Sequence, residues 1–361
     1  MRHDGEGSLP AGHSADRKLG LYFFSALETS SGPRKPDDRS TYGLLMDAAV
    51  SADMLGLDFL WVPERHFTPF GGGHPNPAVM AAALAVRTHT IRIRAGSVVL
   101  PLHDPLRVAE EWAVVDNLSN GRVEVSSATG WNPRDFVLAP DAFADRADRA
   151  RENWQTVQSL WKRNEVRRIG PDNVEYSVLS YPRPVQPSLP HWITAAGSPG
   201  TFAYAGETGA GLLTSYGAQP EKRLTELIGL YRETYAAHHD GRGRVALMVH
   251  TAIGADGEEI RRQAVGPLRR YLAAYLDQHS SQTDAAVREK SLDLAVKRYL
   301  RGRSLIGDRA EVEATMQHMY AAGADEIACL VDFGLPRKIV LDTVSELARL
   351  RDECPTESEK E

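Results

Sequence analysis

The chain has 361 residues, of which 42% are hydrophobic and 25% are charged, and its formal net charge is −6. A negative net charge argues against nucleic acid or an anionic membrane as a partner, and no apolar run is long enough to span a bilayer. The length fits either two domains or one large α/β barrel.

The two ends of the chain differ in composition from the rest. Residues 1–18 are rich in Gly, Ser, His and Asp and have no apolar h-region, which predicts a disordered tail and not a secretory signal. Residues 353–361 predict a second disordered tail, so we expect one folded domain over residues 19–352. The two cysteines, Cys329 and Cys354, do not indicate a disulfide framework, and a cytoplasmic location is expected.

Short apolar strands alternate with helical segments along most of the chain. Strands are predicted at residues 19–24, 58–62, 91–100, 121–130, 191–197, 209–215, 245–253 and 325–333. Helices are predicted at residues 40–56, 76–88, 104–119, 143–163, 199–208, 218–238, from about 256, at 309–323 and at 336–350. This alternation predicts an α/β fold with eight parallel strands, a closed (β/α)8 barrel. The first strand–helix junction lacks the GxGxxG of a dinucleotide-binding sheet.

Two segments interrupt the alternation. Residues 164–189 predict a β-hairpin outside the barrel. Residues 277–303 are polar and irregular, which predicts an insertion or mobile lid between the seventh and eighth strands.

The active site of such a barrel lies at the C-terminal ends of its strands, so residues that follow a strand are candidates. Glu64, Arg65 and His66 follow the second strand in the stretch "WVPERHF". The His66 imidazole titrates near neutral pH and is the candidate for proton transfer. Glu64 and Arg65 would set its charge or hold a polar ligand. A salt-bridged rim without chemistry is the alternative.

Small residues end the fourth and fifth strands, in "SSATGW" and "AAGSPGT". Ser198 and Thr201 offer hydroxyls beside the free N–H groups of the helix that follows, which suits a phosphate. A plain loop with an N-capping serine explains the segment equally well. Arg107 is expected to pair with Glu110 or Glu111 along its helix. No histidines and acids show metal-ligand spacing, and there is no GxSxG motif.

Several stretches resemble the bacterial luciferase-like flavin monooxygenases, most of all the branch found in natural-product biosynthesis. They are Glu-x-His-Phe after the second strand, "NPAV", "VVLPLHDPLRVAEEW", "LSNGRVEV", "ATGW" and "LIGDRAEV", and the resemblance covers roughly residues 19–350. It implies a barrel that is usually dimeric and uses reduced FMN, supplied by a separate NAD(P)H-dependent flavin reductase. With dioxygen it would oxygenate a substrate, either a free small molecule or one bound to a carrier protein.

The resemblance also assigns residues to the site. Ser198 and Thr201 match phosphate-binding residues, and Ser97 matches a bulged segment, often with a non-proline cis bond, that backs the flavin ring. The full assignment for the cofactor is Ser97, Ala128, Thr129, Gly130, Gly197, Ser198 and Thr201. Glu64, Arg65 and His66 are assigned to catalysis and Phe67 and Trp131 to the substrate pocket, with no metal.

The chain departs from luciferase at two places. Arg65 stands where luciferase has the first of two histidines, so light-producing aldehyde oxidation is not expected. Ala128 and Thr129 stand where luciferase has Cys-Arg, which removes a reactive cysteine and one charge near the flavin phosphate.

Three functions remain open on the sequence. The first is FMN-dependent monooxygenation of a secondary-metabolite intermediate, by hydroxylation or Baeyer–Villiger-type insertion. The second is hydride transfer with a deazaflavin on the same barrel. The third is flavin binding without catalysis.

Overall fold

Eight parallel strands close into a barrel in the computed structural model, which describes residues 17–24, 40–279 and 284–353. In order around the barrel they are β1 (Lys18–Tyr22), β2 (Phe59–Val62), β3 (Arg92–Val99), β4 (Val123–Ala128), β7 (His191–Thr194), β8 (Gly211–Ser215), β9 (Val245–Ile253) and β11 (Glu326–Leu330). β8 pairs with β9, and β9 and β1 both pair with β11, so these eight strands leave no open edge. The predicted (β/α)8 barrel is confirmed.

Helices follow the barrel strands and pack their apolar faces against them. They are α1 (Ser40–Met54), α2 (Pro77–Ala85), α3 (Pro105–Ser119), α4 (Arg146–Trp161), α5 (Pro199–Glu207), α6 (Glu221–His238), α7 (Gly257–His279), α8 (Ala285–Leu300), α9 (Arg309–Ala321) and α10 (Arg337–Glu353). The Asn76 carboxamide oxygen caps α2 by accepting from the N–H groups of Ala78 (2.9 Å) and Val79 (3.1 Å). Within the described residues, no helix is long and apolar enough to cross a membrane.

Outside the barrel, β5 (Val166–Ile169) and β6 (Glu175–Val178) pair antiparallel, which confirms the predicted hairpin. The short strand β10 (Leu305–Gly307) was not predicted, and it extends the sheet beside the end of β9.

The segment predicted to be irregular, residues 277–303, is mostly helical where the structure describes it. The end of α7 runs into it, and α8 fills most of the remainder. Leu292 and Val296, one turn apart in α8, are buried, while most of its other side chains are exposed. The prediction of irregular structure was wrong because a helix with one narrow apolar stripe has the composition of a loop. Its role as a mobile lid stays a prediction.

The single domain predicted over residues 19–352 stays a prediction, and the described secondary structure covers most of that range. β1 begins at Lys18 and α10 ends at Glu353. Apart from residues 17, 18 and 353, the two predicted tails lie outside the described residues, as does Cys354. Cys329 lies in β11 and is fully buried, and burial raises the pKa of its thiol to about 12.

A buried ion cluster fills the N-terminal end of the barrel. Arg94 on β3 is fully buried and pairs with Glu326 on β11 and with Glu124 on β4, whose Oε2 lies 3.0 Å from Arg94 Nε. The Trp192 indole donates to the same Oε2 at 2.6 Å, and the Phe59 ring centroid lies 4.1 Å from the guanidinium carbon. Burial alone would raise the pKa of Glu124, but the charges of Arg94, Arg244 and Arg92 and the Trp192 hydrogen bond together outweigh it, and the pKa lies below its ordinary value.

Candidate active site

Glu64 lies at the opposite, C-terminal end of the barrel and binds three donors. It follows β2 and its side chain is buried. Its Oε1 accepts from Nε2 of His66 at 2.7 Å and from Nε2 of His103 at 2.6 Å, and its Oε2 accepts from the backbone N–H of Val99 at 2.8 Å. The structure therefore brings together Glu64 and His66, as the sequence indicated, and adds His103, which sequence reasoning missed.

The charges of this cluster fix where its protons lie. Burial would raise the pKa of Glu64, but the hydrogen bonds from His103 and His66 outweigh it and leave the pKa below its ordinary value. Burial would lower the pKa of His103, but the hydrogen bond with Glu64 and the negative charges of Glu64 and Glu111 together outweigh burial and raise the pKa. A carboxylate only accepts hydrogen bonds, so Nε2 of each imidazole carries a proton. Nδ1 of His66 is then the ring nitrogen that can take up or release one.

Arg65 lies beside this cluster among aromatic rings. Its guanidinium carbon is 5.3 Å from the ring centroid of Phe24, 5.6 Å from that of Trp131 and 5.9 Å from that of Phe70. Its backbone N–H donates to the carbonyl of His74 at 2.9 Å, which fixes the loop after β2. The cation is thus held in a mainly apolar part of the barrel mouth.

The two residues predicted to form the substrate pocket lie at the rim of the mouth. Phe67 is 54% exposed, and its ring centroid lies 5.6 Å from that of His66. Trp131 is 40% exposed and contacts Arg65. Both rings therefore border the polar residues from the solvent side, and their contact with a substrate stays a prediction.

Ser97 lies at an irregularity of β3. The register between β3 and β4 shifts between Gly96 and Val98, and the peptide bond between Gly96 and Ser97 is cis. The Tyr22 hydroxyl donates to the Gly96 carbonyl oxygen. The bulge and the non-proline cis bond are therefore present where the resemblance assigns them, while contact of Ser97 with a flavin ring stays a prediction.

A cavity of about 280 Å³ opens beside the C-terminal ends of β4 and β7, between α4 and α5. Ala128, Thr129, Ser198 and Thr201 line it, so four of the residues predicted to bind the cofactor come together here. Ser198 occupies the N-cap position of α5, but its side chain makes no capping hydrogen bond. The serine is therefore not a simple helix cap, and its hydroxyl is available to the cavity.

Two predicted glycines flank the cavity residues in the chain. Gly130 has a φ of 73° and Gly197 a φ of 146°, backbone conformations that side chains disfavour. A Cβ on Gly130 would lie 2.8 Å from the Phe136 ring, and one on Gly197 would lie 2.5 Å from the Gln219 amide. Both positions therefore need glycine to keep the loops at the barrel mouth in this arrangement.

Arg151 on α4 brings a positive charge to the cavity. Its guanidinium carbon lies 4.7 Å from the Tyr204 ring centroid, and its Nη1 lies 3.1 Å from the exposed Asp148 carboxylate. Sequence reasoning missed Arg151 because α4 is rich in charged residues and the sequence does not show which one faces the strands. Hydroxyls, a cation and the positive N-terminal end of α5 fit a phosphate group.

Arg107, by contrast, has no part in the site. It pairs on the surface of α3 with Glu110 at 3.4 Å and with Glu111 at 3.1 Å, which confirms the predicted helix-surface pairing.

Comparison with known proteins gives relatives of two chemical kinds. The flavin-dependent trigonelline monooxygenase, oxygenase component, of Acinetobacter baylyi is 26% identical over 311 residues, which cover 82% of this chain and 85% of that protein. The F420-dependent glucose-6-phosphate dehydrogenase of Amycolatopsis mediterranei is 32% identical over 198 residues, which cover 52% of this chain and 58% of that protein.

A solved structure supports the fold. The oxygenating constituent of 3,6-diketocamphane monooxygenase of Pseudomonas putida, in complex with FMN, has a TM-score of 0.77 at 18% identity and covers 94% of this chain and 98% of its own. The model of the luciferase-like monooxygenase family matches residues 21–326. Because this match spans the barrel from β1 to the start of β11, the chain belongs to the luciferase-like monooxygenases and is an oxidoreductase.

Proposed function

We propose that the protein is the oxygenase of a two-component system, which uses reduced FMN and dioxygen to oxygenate a secondary-metabolite intermediate. The cavity between α4 and α5 carries this proposal, because it gathers hydroxyls, a helix N-terminus and a cation around a space suited to the FMN phosphate. When bound, reduced FMN supplies the electrons that activate dioxygen, so that one oxygen atom enters the substrate.

In this proposal Arg151 provides a positive charge beside the phosphate, which neither Ala128 nor Thr129 carries. The hydroxyls of Thr129, Ser198 and Thr201 would donate hydrogen bonds to the phosphate, and Arg151 would donate charge-assisted hydrogen bonds from α4. Ser97, at the bulge of β3, would contact the flavin ring.

The Glu64 cluster handles protons at the mouth. The Glu64 carboxylate orients His66 and His103 through their Nε2 atoms, and Nδ1 of His66 holds or releases the proton that oxygen transfer requires. Arg65 has two candidate roles: it stabilises negative charge that develops during oxygen activation, or it binds an anionic group of the substrate.

We expect Arg151→Met to weaken FMN binding by about 10-fold or more, because a hydrogen bond to a charged group contributes roughly 1.5–3 kcal/mol. Riboflavin, which lacks the phosphate, should bind wild type and variant alike. Flavin fluorescence titration measures both affinities. Arg149→Met is the matched control, since Arg149 lies on the same helix and pairs with Asp145 at 2.7 Å outside the cavity. Equal loss of FMN and riboflavin affinity would contradict phosphate binding by Arg151.

A deazaflavin-dependent reductase is the second candidate, and the Amycolatopsis relative named as F420-dependent favours it. F420 is a deazaflavin and would serve hydride transfer without dioxygen. Substrate-dependent formation of an oxygenated product with reduced FMN would indicate the monooxygenase, and anaerobic, substrate-dependent reduction of F420 would indicate the deazaflavin enzyme. A protein that binds FMN but supports neither reaction would be the third candidate, a non-catalytic flavin-binding barrel.

A separate NAD(P)H:flavin reductase is part of the proposal, and the Acinetobacter relative supports it because that protein is named as an oxygenase component. Reduced FMN made by an unrelated reductase should therefore support substrate-dependent product formation by this protein.

We also propose a homodimer. The neighbouring helices α2 and α3 expose apolar side chains at Val79 (67% exposed), Val114 (43%) and Leu118 (47%), and Val86 at the end of α2 is 62% exposed. Apolar side chains on adjacent helices are typical of a surface that a second subunit covers. Sedimentation equilibrium should give about twice the 39.7 kDa chain mass, and a monomer at all concentrations would contradict the proposal.

A further inference from the structure

Arg65 lies against a group of aromatic side chains, which we name the aromatic wall. Its members are Phe24, Phe70, Trp131, Tyr271 and Tyr275. The ring of Tyr271 on α7 lies 5.3 Å from that of Phe24 and 4.9 Å from that of Phe70, and the ring of Tyr275 lies 6.2 Å from that of Phe70. Three of the wall residues also contact the guanidinium of Arg65. Phe24, Phe70 and Tyr271 are buried, while Trp131 and Tyr275 are each 40% exposed. One cation thus lies beside an aromatic cluster whose accessible rings are those of Trp131 and Tyr275.

Within the described part of the chain, Arg65 has no carboxylate partner, and its guanidinium donates no hydrogen bond. The acids around it are engaged by other donors. Glu64 accepts from two imidazoles and a backbone N–H, Asp332 accepts from the backbone N–H of Phe24 at 2.7 Å, and Asp135 accepts from an asparagine side chain at 3.1 Å. The mouth therefore holds a cation whose hydrogen-bonding groups are available to a ligand.

A cation in such surroundings favours an anionic ligand. Removing a guanidinium from water costs free energy, and contacts with aromatic faces offset only part of that cost. The planar fork of N–H donors matches the two oxygens of a carboxylate, and the low-polarity surroundings strengthen the pairing. Flat apolar groups attached to that carboxylate would cover the aromatic wall.

We propose that the mouth binds organic acids with a flat apolar body, with the carboxylate on Arg65 and the body against the aromatic wall. The inference rests on the proposed function, since it takes the bound acid to be the class of substrate that is oxygenated. It assigns Arg65 to substrate binding. His66, the proposed proton-transfer group, is the next residue in the chain and lies at the same barrel mouth.

Benzoate and benzamide are the probes that test this proposal, because they share a flat apolar ring and differ in charge. Both are titrated calorimetrically into wild-type protein, alone and saturated with oxidised FMN, and Trp131 fluorescence gives a second readout. We expect benzoate to bind at least about 10-fold more tightly than benzamide. Arg65→Met should remove that difference, Arg65→Lys should restore part of it, and Arg107→Met, which removes a surface cation, should leave it unchanged.

Equal binding of the two probes to wild type, unchanged benzoate affinity in Arg65→Met, or no binding of benzoate up to its solubility limit would overturn the proposal. Thermal melts of the two Arg65 variants show whether a lost affinity reflects lost folding, and the Lys variant preserves the test if the Met variant unfolds. Titration of FMN into the same proteins measures cofactor affinity separately from the binding of benzoate and benzamide. Failure of the flavin proposal would appear there as absent FMN binding, while failure of the acid proposal would leave FMN binding intact.

Discussion

His66→Gln should lower the turnover of oxygenation by about 10²–10⁴-fold and leave the Kd for FMN unchanged. Glutamine keeps an N–H donor for the Glu64 carboxylate but has no nitrogen that titrates near neutral pH. Product formation and oxygen uptake, measured with a flavin reductase and any substrate that supports uptake, give the turnover. Fluorescence titration gives the affinity for FMN.

His103→Gln is the matched variant, because His103 donates to the same Glu64 oxygen as His66. If His66 is the proton-transfer group, His103→Gln should have a much smaller effect on turnover. Equal losses in the two variants would mean that both histidines act only by holding Glu64 in place. Unchanged turnover in His66→Gln would remove that residue from the mechanism.

Arg94→Met should lower the free energy of unfolding by about 3–5 kcal/mol, because it removes the buried guanidinium that pairs with two buried carboxylates. They then keep only more exposed cations, Arg244 at 3.6 Å from each and Arg92 at 3.4 Å from Glu124. Denaturant unfolding measures the loss, and Arg107→Met on exposed α3 should change stability by less than about 1 kcal/mol. Adding Glu326→Gln to Arg94→Met removes one of the stranded charges and should recover part of the loss. A loss below about 1 kcal/mol in Arg94→Met would contradict a stabilising role for the cluster.

The stability that Arg94→Met loses should also depend on pH and should be larger at neutral pH than at acidic pH. In the wild type the pKa of Glu124 lies below its ordinary value of 4.5, so its contribution is present above that pH and is lost as the pH falls. Without Arg94, the cations Arg244 and Arg92 and the Trp192 hydrogen bond remain, but burial is the largest influence on the pKa of Glu124 and should raise the folded-state pKa above the unfolded value. The variant should then lose stability as the pH rises through the raised pKa of Glu124. The difference in the free energy of unfolding between wild type and variant should therefore be smaller near pH 4.5 than at neutral pH.

The barrel could be predicted from the sequence because each barrel strand carries a local signal. The four residues of β2, for example, are all apolar and all buried, and Pro63 marks where the strand ends. Parallel strands then place their C-terminal residues at one end, so Glu64, Thr129 and Ser198 could be assigned to the mouth before any geometry was known. Local pattern and topology were sufficient for this part of the site.

Contacts between distant segments could not be predicted in the same way. His103 meets Glu64 across 39 residues of sequence, and "VVLPLHDP" shows only that it follows a strand. Arg151 reaches the cavity because of the rotation of α4 about its axis, which tertiary packing decides. The helix α8 escaped detection because only Leu292 and Val296 of its side chains are buried. In each case the missing information was which face of an element meets the barrel.

The burial of Cys329 would affect how the proposed oxygenase tolerates peroxide from its own side reaction. Reduced flavin that oxidises without substrate releases hydrogen peroxide, which attacks thiolates and not thiols. Burial in β11 raises the pKa of Cys329 to about 12, so at neutral pH it is a thiol that the oxidant does not reach. Ala128 stands where luciferase carries a reactive cysteine. The part of the chain that the structure describes therefore presents no oxidisable thiolate to the peroxide that the proposed reaction would release without substrate.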